Sequence, residues 1–544
     1  MRRIIYLAMA LMVIFTGVPK LWASHIDVTD QYDLKMALDY AATANIDTIF
    51  LTTSGGVYTT TDTMALSVLE PLVMMAAPGL AEMPILTNSD PNQKVLDILR
   101  IYADFTVEGV IFDGGNDVSH GMKYALRCDN DPTRGYTVDP DADITVKNCI
   151  FRNFYQDKDP TKDGHVFKVA KVKVGTVRFE NCLIDGTGYE AIRLSDTEKW
   201  NTTKTCDSLI VENCTFTRCN AEGIRFYADK DTSTADAYVL LQHLTFYNTA
   251  TRVMYIKNNQ NTIVRDIIVA NSRLSTHGRD DFIMQVQQKG STISNVDTFQ
   301  VTTLDGTYDR DKLIYVAKNG GKGTDKSTIW GFDPKFKDPT NLDLTLMPTS
   351  HAYFAGHDGS ALGDLNWAKE TPTVIPFSYE IQGKGQLQFD PPLQGRSYDP
   401  NTTVTVTAVP DSGWQFKEWQ GDLTGTDNPA SITVDAAKHI TAVFEQATAI
   451  GDGQMVVRSF ALQQNYPNPF NPQTTIQYSI PQNSYVQLTV YDRNGRIVQT
   501  LVNSIQQAGT YRVRFAPKNL ATGVYFYRLT DGVHHAVHKM LFIK

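Results

Sequence analysis

The stretch Val146-Lys147-Asn148-Cys149-Ile150-Phe151 recurs with little change as Phe179-Glu180-Asn181-Cys182-Leu183-Ile184 and as Val211-Glu212-Asn213-Cys214-Thr215-Phe216. Weaker copies begin at Leu241 and Val264. The copies are about 25 to 40 residues apart, a period typical of solenoids. In a solenoid each unit buries its apolar face only by stacking on its neighbours.

A second, shorter phrase lies between these copies, in which one outward residue separates two inward apolar residues. It occurs as Leu126-Arg127-Cys128, Phe167-Lys168-Val169, Ile192-Arg193-Leu194, Ile224-Arg225-Phe226, Met254-Tyr255-Ile256, Met284-Gln285-Val286 and Ile314-Tyr315-Val316. Such alternation predicts short β-strands, and no helical period accompanies it. We therefore predict an all-β chain built around a right-handed parallel β-helix, with one repeat in each coil.

The residues before the repeats have a different pattern. From Tyr32 to Asn45 apolar side chains follow helical spacing, which predicts a short helix. Such a helix would cover the open end of the first coil, because an exposed end coil is an unpaired β edge. We expect the first strand at 47–51 and the last coil near Thr328.

The start of the chain predicts export. Met1-Arg2-Arg3 is basic, Ile4 to Val18 is an apolar run, and Leu21-Trp22-Ala23 is a suitable cleavage site, so residues 1–23 are predicted to be a secretory signal peptide. No later stretch is long and apolar enough to span a bilayer. The net charge of -9 over 544 residues does not suggest a nucleic-acid partner.

The six cysteines lie between Cys128 and Cys219. Cys149, Cys182 and Cys214 share one repeat position, which predicts a buried column of thiols packed as small hydrophobes. Cys206 and Cys219 flank one strand, and an exported protein permits a disulfide between them, so bonded and free forms both stay open. No Cys/His group has zinc-finger spacing, and the sequence predicts no zinc site.

Two further modules are expected after the β-helix, which we assign to residues 24–370. Asp333-Pro334-Lys335-Phe336 and the strand-like 342–346 resemble the closing segment of many bacterial β-helix proteins. Residues 378–446 resemble the divergent B-repeat module of bacterial surface proteins, a small β-rich spacer or adhesion unit. Trp414 and Trp419 of this module suit either its core or stacking on sugar rings, and we favour the core.

Residues 458–544 closely resemble the type A C-terminal sorting domain of the type IX secretion system. The matching strings are Asn465-Tyr466-Pro467-Asn468-Pro469-Phe470-Asn471-Pro472, Tyr491-Asp492-Arg493-Asn494-Gly495-Arg496, Ala521-Thr522-Gly523-Val524-Tyr525 and Lys539-Met540-Leu541-Phe542-Ile543-Lys544. Without the resemblance, this segment predicts a β-sandwich with an Asn-Gly hairpin turn. The resemblance implies handling by the type IX secretion machinery, followed by release or attachment at the outer surface of a Gram-negative cell.

Stacking the coils turns the outward residue of the shorter phrase into a column. Its members are Arg127, Lys168, Arg193, Arg225, Tyr255, Gln285 and Tyr315. Adjacent strands are about 4.8 Å apart, and like charges opposite one another are destabilising. A bound acidic polysaccharide would supply the counter-charge, and the tyrosines would offer stacking faces. Alternatively, nearby carboxylates neutralise the column, namely Asp129, Glu190, Asp196 and Asp229.

The fold and this column together resemble the pectin-lyase-like superfamily, which is rich in lyases that act on uronates. Gly223 to Lys230 resembles the catalytic coil of chondroitinase-B-like and alginate lyases of the β-helix type, and Lys230 falls on their lysine base. Arg225 and Tyr227 replace two calcium-binding glutamates of that pattern, so Arg225 would neutralise the substrate carboxylate instead. Lys257 is the equal of Lys230 in a neighbouring coil, and Tyr227 and Lys257 are expected to share the outward face, because they lie two residues beyond Arg225 and Tyr255. A solvated loop lysine is the plainer interpretation of Lys230.

Metal and other enzyme sites have weaker signals. Asp139, Asp141 and Asp143, with Asp157 and Asp159, offer hard oxygen ligands, so calcium stays open as a cofactor although solvated loop acids are favoured. Asn148, Asn181 and Asn213 are expected to form a structural ladder between coils. A hydrolase of the polygalacturonase type would need paired carboxylates on adjacent coils, and the outward columns contain none.

These observations predict a secreted, monomeric, carbohydrate-active protein, with a lyase of acidic polysaccharide favoured. Lys230, Arg225 and Lys257 are the predicted catalytic residues. Substrate binding is assigned to Arg127, Lys168, Arg193, Tyr227, Tyr255 and Tyr315. The alternative is a non-catalytic glycan-binding or adhesion protein of the cell surface.

Overall fold

The structure is a computed structural model. It describes residues 24–59, 66–87, 97–115, 122–155, 164–194, 205–227, 237–257, 261–272, 283–287, 291–302, 314–316, 328–447, 460–517 and 520–544, with the side chains of 227, 257, 287 and 314–316 excepted. The predicted signal peptide, residues 1–23, lies outside these ranges. No helix in them is long and apolar enough to cross a membrane.

The repeats form a parallel β-helix, as predicted. One helix, α1 (Leu34–Ala44), follows the first strand. The strands are β1 (His25–Val28), β2 (Thr48–Leu51), β3 (Val57–Tyr58), β4 (Leu66–Val68), β5 (Leu72–Ala76), β6 (Ile85–Leu86), β7 (Asp97–Ile101), β8 (Phe105–Glu108), β9 (Ile111–Asp113), β10 (Tyr124–Cys128), β11 (Ile144–Lys147), β12 (Ile150–Phe154), β13 (His165–Val169), β14 (Val174–Glu180), β15 (Leu183–Thr187), β16 (Ile192–Leu194), β17 (Cys206–Cys219), β18 (Ile224–Tyr227), β19 (Tyr238–Tyr247), β20 (Met254–Lys257), β21 (Asn261–Ala270), β22 (Met284–Gln287), β23 (Thr292–Phe299), β24 (Ile314–Val316) and β25 (Ile329–Trp330).

Each coil contributes to three parallel sheets. Sheet 1 contains β1, β2, β5, β8, β11, β14 and the first half of β17, and sheet 2 contains β3, β6, β9, β12, β15 and the second half of β17. From β17 onwards β19 and β21 run through both sheets, so the two are joined. Sheet 3 contains β4, β7, β10, β13, β16, β18, β20, β22 and β24 within the described residues. The inward residues of the three sheets form one continuous apolar core.

The bend between sheets 1 and 2 explains the repeated asparagine. Asn148, Asn181 and Asn213 adopt positive φ angles of 52°, 54° and 52°, a conformation that asparagine tolerates better than most residues. The Asn213 amide donates to Asn181 Oδ1 at 3.1 Å, which confirms that part of the predicted ladder. Asn148 donates instead to Glu108 Oε1, at 2.9 Å.

The cysteines are buried, as the repeat predicts. The backbone N–H of Cys182 donates to Cys214 Sγ at 3.4 Å, and burial raises the pKa of the Cys182 thiol well above its ordinary value. All six cysteines lie within the described residues, and none forms a disulfide. Cys206 and Cys219 stand at opposite ends of β17, so the disulfide between them that the sequence left open is absent.

Helix α1 caps the first coil. Asp33 accepts a hydrogen bond from the Lys35 N–H at its N-terminus, and Asn45 ends it with φ 61°. Its buried side chains pack on the core of the first coils, as predicted, whereas Met36 is exposed. Strand β1, which precedes the helix and pairs with β2, was not predicted from the sequence.

The segment after the last coil packs along the outer side of the solenoid. It contains β26 (Phe336–Asp338), β27 (Asp343–Leu346) and the 3-10 helices Pro339–Asn341, His351–Phe354 and Leu365–Trp367. Its apolar side chains share a second core with outward residues of sheet 2, including Tyr247 and Ile268. The Thr215 hydroxyl donates to Asp364 Oδ2 at 2.7 Å and accepts from Trp367 Nε1 at 2.8 Å, which anchors the segment to β17.

Asp364 makes this anchor sensitive to pH. Burial raises the pKa of Asp364 from 3.8 to about 7, so its contribution to stability is complete below pH about 4 and is lost as the pH rises through 7. A pKa difference of about three between the folded and unfolded states corresponds to about 4 kcal/mol of unfolding free energy. We therefore expect Asp364→Asn to gain up to about 4 kcal/mol in unfolding free energy relative to the wild type between pH 4 and pH 8, measured by urea unfolding.

Asp338→Asn is the matched control. The hydrogen bonds from Asn341 and Thr340 lower the pKa of Asp338, so this carboxylate stabilises the fold above its unfolded pKa and loses that effect as the pH falls. Between pH 4 and pH 8 the difference between Asp338→Asn and wild type should therefore stay nearly constant, and below pH 4 wild type should lose stability relative to Asp338→Asn. Parallel pH curves for wild type and Asp364→Asn would contradict the expectation.

Two smaller β units follow. The first contains β28 (Ile375–Gln382), β29 (Gly385–Asp390), β30 (Ser397–Tyr398), β31 (Thr402–Pro410), β32 (Trp414–Gly421), β33 (Ala430–Val434) and β34 (Lys438–Gln446). Trp419 is 2% exposed in the core of this unit and Trp414 packs against that core, which is the role favoured from the sequence.

The second unit contains β35 (Ala461–Leu462), β36 (Thr474–Ile480), β37 (Ser484–Tyr491), β38 (Ile497–Gln506), β39 (Gly509–Phe515), β40 (Gly523–Thr530) and β41 (His535–Phe542). Gly495, with φ 77°, lies in the predicted turn between β37 and β38.

Candidate functional site

The predicted outward column exists on sheet 3. Strand register pairs Arg127 with Lys168, Lys168 with Arg193, Arg193 with Arg225, and Arg225 with Tyr255. The register continues through Gln285 to Tyr315. It also extends backwards to Arg100, which the sequence analysis did not include. Five cationic residues therefore follow one another on adjacent strands.

A second polar row accompanies the column, three residues earlier on each coil. It contains Asp97, Tyr124, His165, Glu190, Glu222 and Arg252. Each of these residues is at or just before the start of a sheet 3 strand. The column and the row together form what we call the sheet 3 face.

Glu190 lies at the centre of the sheet 3 face and is fully buried. Its Oε2 is 3.2 Å from Arg193 Nη1, and its Oε1 is 2.7 Å from Arg225 Nη1. The side chains of Arg193 and Arg225 are 13% and 17% exposed. One carboxylate thus lies between two guanidinium groups from adjacent coils.

Lys168 and Arg127 flank an aromatic pair. The rings of Tyr124 and His165 stack with their centroids 5.3 Å apart. Lys168 Nζ lies 3.4 Å from the Tyr124 hydroxyl and 5.3 Å from its ring centroid, and Arg127 lies 4.9 Å from the same centroid. A cation within about 6 Å of a ring centroid is attracted by the quadrupole of the ring.

The earlier end of the sheet 3 face is a network of ion pairs. Arg127 pairs with Asp129 and lies 3.6 Å from Asp97, a carboxylate that Arg100 also contacts, at 2.6 Å. The coulombic attraction of these acids outweighs burial and raises the pKa of Arg127. Arg127 is therefore already neutralised by the protein, as the alternative interpretation of the column expected.

Tyr255 lies in the later part of the sheet 3 face, next to Gln285. Arg252 lies over its ring with 3.9 Å to the centroid, and Arg252 Nε is 2.9 Å from Glu222 Oε1. Arg225 approaches the same ring at 5.9 Å. The ring is thus bracketed by two guanidinium groups and is half-buried rather than fully open to a sugar.

The remaining predicted residues are only partly described. Tyr227, Lys257 and Tyr315 lie in strands, but their side chains are outside the described set, as is all of Lys230. Register pairs Lys257 with Tyr227, as expected from their common position two residues beyond Tyr255 and Arg225.

The aspartates considered for calcium have separate partners. Asp141 pairs with Lys173 at 3.0 Å, Asp143 accepts from the Thr176 N–H at 2.6 Å, and Asp139 accepts from the Asp141 N–H at 3.0 Å. Asp157 and Asp159 lie outside the described residues. Among the described residues, the clustered His, Cys and acidic side chains that could share a metal ion are elsewhere, at His243, Asp266 and His357.

Sequence reasoning missed the second polar row as a functional unit. It treated Glu190 as one of several neutralising acids and did not include Tyr124, His165, Tyr189 or Arg252. The signal was present, because Glu190 to Arg193 and Glu222 to Arg225 repeat the same three-residue spacing. Tyr189 is 37% exposed beside Arg193, and the charge of Glu190 raises the pKa of its phenol.

Family comparisons match three parts of the chain. Residues 105–237 match the model of the right handed beta helix region, residues 382–448 that of the divergent InlB B-repeat domain, and residues 464–544 that of the secretion system C-terminal sorting domain. A search of curated proteins found no match. Among solved structures, a mutant of the PL6 family alginate lyase AlyGC is similar over 58% of this chain and 42% of that chain, with 15% identity and a TM-score of 0.35.

The matches and the fold agree on the organisation of the chain. The predicted handedness, the B-repeat and the sorting domain are confirmed. A sorting domain of this family directs its protein out of the cell, so the predicted localisation is also confirmed. The protein is a right-handed parallel β-helix, followed by a divergent B-repeat and a C-terminal sorting domain, that is secreted or attached to the outer cell surface.

Proposed function

We propose that the sheet 3 face binds an acidic, uronate-containing polysaccharide and that the protein cleaves it by β-elimination. The observation that supports this most strongly is the register of Lys168, Arg193 and Arg225 on adjacent strands. Strands about 4.8 Å apart place the cations at a spacing close to that of successive sugars along an extended chain. Arginine binds planar carboxylates through paired hydrogen bonds.

The arrangement around Glu190 supports binding of one carboxylate at this place. Arg193 and Arg225 lie on adjacent strands and contact the same carboxylate, and a substrate carboxylate would compete for these contacts. Charge-assisted hydrogen bonds of this kind are stronger where the groups are largely desolvated. The sugar carboxylate would therefore lie against Arg193 and Arg225, with Tyr189 and Tyr255 beside it.

The proposed reaction needs a base and an anion-stabilising group. The base removes the C5 proton of the uronate, the electron pair forms the C4–C5 double bond, and the bond from C4 to the glycosidic oxygen breaks as that oxygen takes up a proton. Arg225 neutralises the carboxylate and so stabilises the negative charge that develops at C5. Lys230 and Lys257 are the candidate bases, and Tyr189 is a phenol suited to donate the proton to the leaving oxygen.

An absorbance assay tests the cleavage. Incubation with alginate, pectate and chondroitin should produce the ultraviolet absorbance of the unsaturated product for at least one polymer. Lys230→Ala or Lys257→Ala should lower this rate by about 100- to 10,000-fold, the usual contribution of a general base. The rate should be measured in parallel with added calcium and with a chelator, because the sequence permits calcium as a cofactor. No absorbance on any uronate polymer would contradict the lyase proposal.

The second candidate is a non-catalytic glycan-binding or adhesion protein of the cell surface. It is favoured by the ion pairs of Arg127, Arg193 and Arg225, which hold these side chains in place without substrate. The match of residues 382–448 to the divergent InlB B-repeat domain also favours it, because a spacer or adhesion role was expected from this resemblance. Retained binding of a uronate polymer without any unsaturated product would select this candidate over the lyase.

A further inference from the structure

The asparagine ladder at the bend between sheets 1 and 2 is interrupted on two adjacent coils. His243 and Asp266 occupy the bend position that Asn213 and Asn295 occupy on the flanking coils. Both keep the left-handed backbone of the ladder, with φ 52° and 60°. An imidazole and a carboxylate therefore stand next to each other where the repeat otherwise places amides.

A second histidine reaches this place from the segment that follows the β-helix. His357 Nδ1 lies 2.5 Å from Asp266 Oδ2, and the His357 backbone N–H donates to Asp266 Oδ1 at 2.8 Å. His243 Nε2 lies 3.7 Å from the same Oδ2. One atom from each of the three side chains can be chosen so that all lie within 4.8 Å of one another.

The surroundings orient this cluster. The Asn295 amide donates to Asp266 Oδ1 at 3.1 Å, which leaves Oδ2 facing both histidines. Asp266 is fully buried and His243 is 8% exposed, whereas the His357 side chain is 32% exposed and opens the cluster to solvent. His243 Nδ1 is buried and has no hydrogen-bond partner among the described residues, so the hydrogen bonding of this ring is incomplete.

We propose that His243, Asp266 and His357 form a zinc site that fastens the segment after the β-helix to the bend of the coils. Two imidazoles and one carboxylate are common zinc ligands, and a water molecule would complete the tetrahedron. Zinc ligands at 2.0–2.1 Å stand about 3.3 Å apart, so small side-chain movements would suffice. Hydrogen bonding of the carboxylate by Asn295 and the His357 N–H is the outer support that metal ligands usually have.

The charged side chain next to the cluster is engaged elsewhere. Arg265, which precedes Asp266, donates to Gln242 Oε1 at 2.9 Å and 2.7 Å, so its guanidinium is engaged on the outer surface of sheet 1.

The test is zinc binding by purified, tag-free protein and by His243→Asn. Asparagine is the residue that other coils place at this bend, so the variant removes a ligand while keeping the backbone conformation. We expect wild type to bind one zinc ion per chain by calorimetry and elemental analysis, and His243→Asn to bind it at least about 100-fold more weakly. Cobalt in place of zinc should give the visible absorption of a tetrahedral site in the wild type alone.

Asp266→Asn and His357→Gln provide independent variants, should one fail to fold, and His439→Asn in the B-repeat is the control for loss of an exposed histidine. Zinc should raise the Tm of wild type and His439→Asn by about 3 to 5 °C and leave the three ligand variants unchanged. Absence of stoichiometric zinc in the wild type, or equal affinity in the ligand variants, would show that the cluster is only a hydrogen-bonded contact.

Discussion

Arg225→Ala and Arg193→Ala are each expected to weaken binding of a uronate polymer by about 10- to 100-fold at low ionic strength. Each substitution removes a charge-assisted hydrogen bond, worth about 1.5 to 3 kcal/mol. The remaining arginine still neutralises Glu190 in either single variant. The double variant should lose measurable binding. Calorimetry or affinity electrophoresis in alginate and pectate provides the measurement.

Arg152→Ala is the matched control for these variants. Arg152 pairs with Asp113 at 2.6 Å, and its side chain is 21% exposed, similar to the arginines of the sheet 3 face. Arg152 lies on sheet 2, so Arg152→Ala should lower the unfolding free energy by a comparable amount without changing polymer binding. Salt should weaken wild-type binding and reduce the difference between variants, because exposed charges are screened. Unchanged binding in the double variant would contradict the proposed site.

The sequence allowed the fold and the column to be predicted because both depend on local periodicity. Inward and outward residues alternate along each strand, so the order Arg127, Lys168, Arg193, Arg225 follows once the coils are stacked. The bend conformation of Asn148, Asn181 and Asn213 likewise follows from a residue type at a fixed repeat position. Arg100 was missed because its coil precedes the clear copies of the repeat.

The counter-charges could not be predicted in the same way. Glu190 was one of four acids close in sequence to the column, and only the turn that buries it decides that it reaches two arginines on different coils. The histidine cluster could not be predicted either, because His357 and Asp266 are 91 residues apart and meet only through the packing of a nonrepetitive segment.

Glu190→Gln should have the largest effect on stability, lowering the unfolding free energy by about 3 to 5 kcal/mol. The glutamine amide has no net charge, so Arg193 and Arg225 would face each other across it with only 13% and 17% of their side chains exposed. His165 would lose a carboxylate oxygen 3.6 Å from its Nδ1. Urea unfolding of the variant beside Arg152→Ala gives the comparison, and a loss similar to that of Arg152→Ala would contradict the central role of Glu190.

Glu190→Gln should also strengthen polymer binding, whereas Arg225→Ala should weaken it. These opposite effects on affinity distinguish a binding role of the sheet 3 face from a purely structural role. Arg225→Ala and Glu190→Gln both disrupt the buried trio and should both destabilise the fold. If the arginines only hold the coils together, both variants should leave polymer binding absent or equally impaired. If they bind a uronate, Arg225→Ala removes a binding group, whereas Glu190→Gln removes the carboxylate that competes with the substrate. Tighter binding by Glu190→Gln at low salt, abolished in Glu190→Gln/Arg225→Ala, is therefore expected from a binding face and from no purely structural arrangement of the same charges.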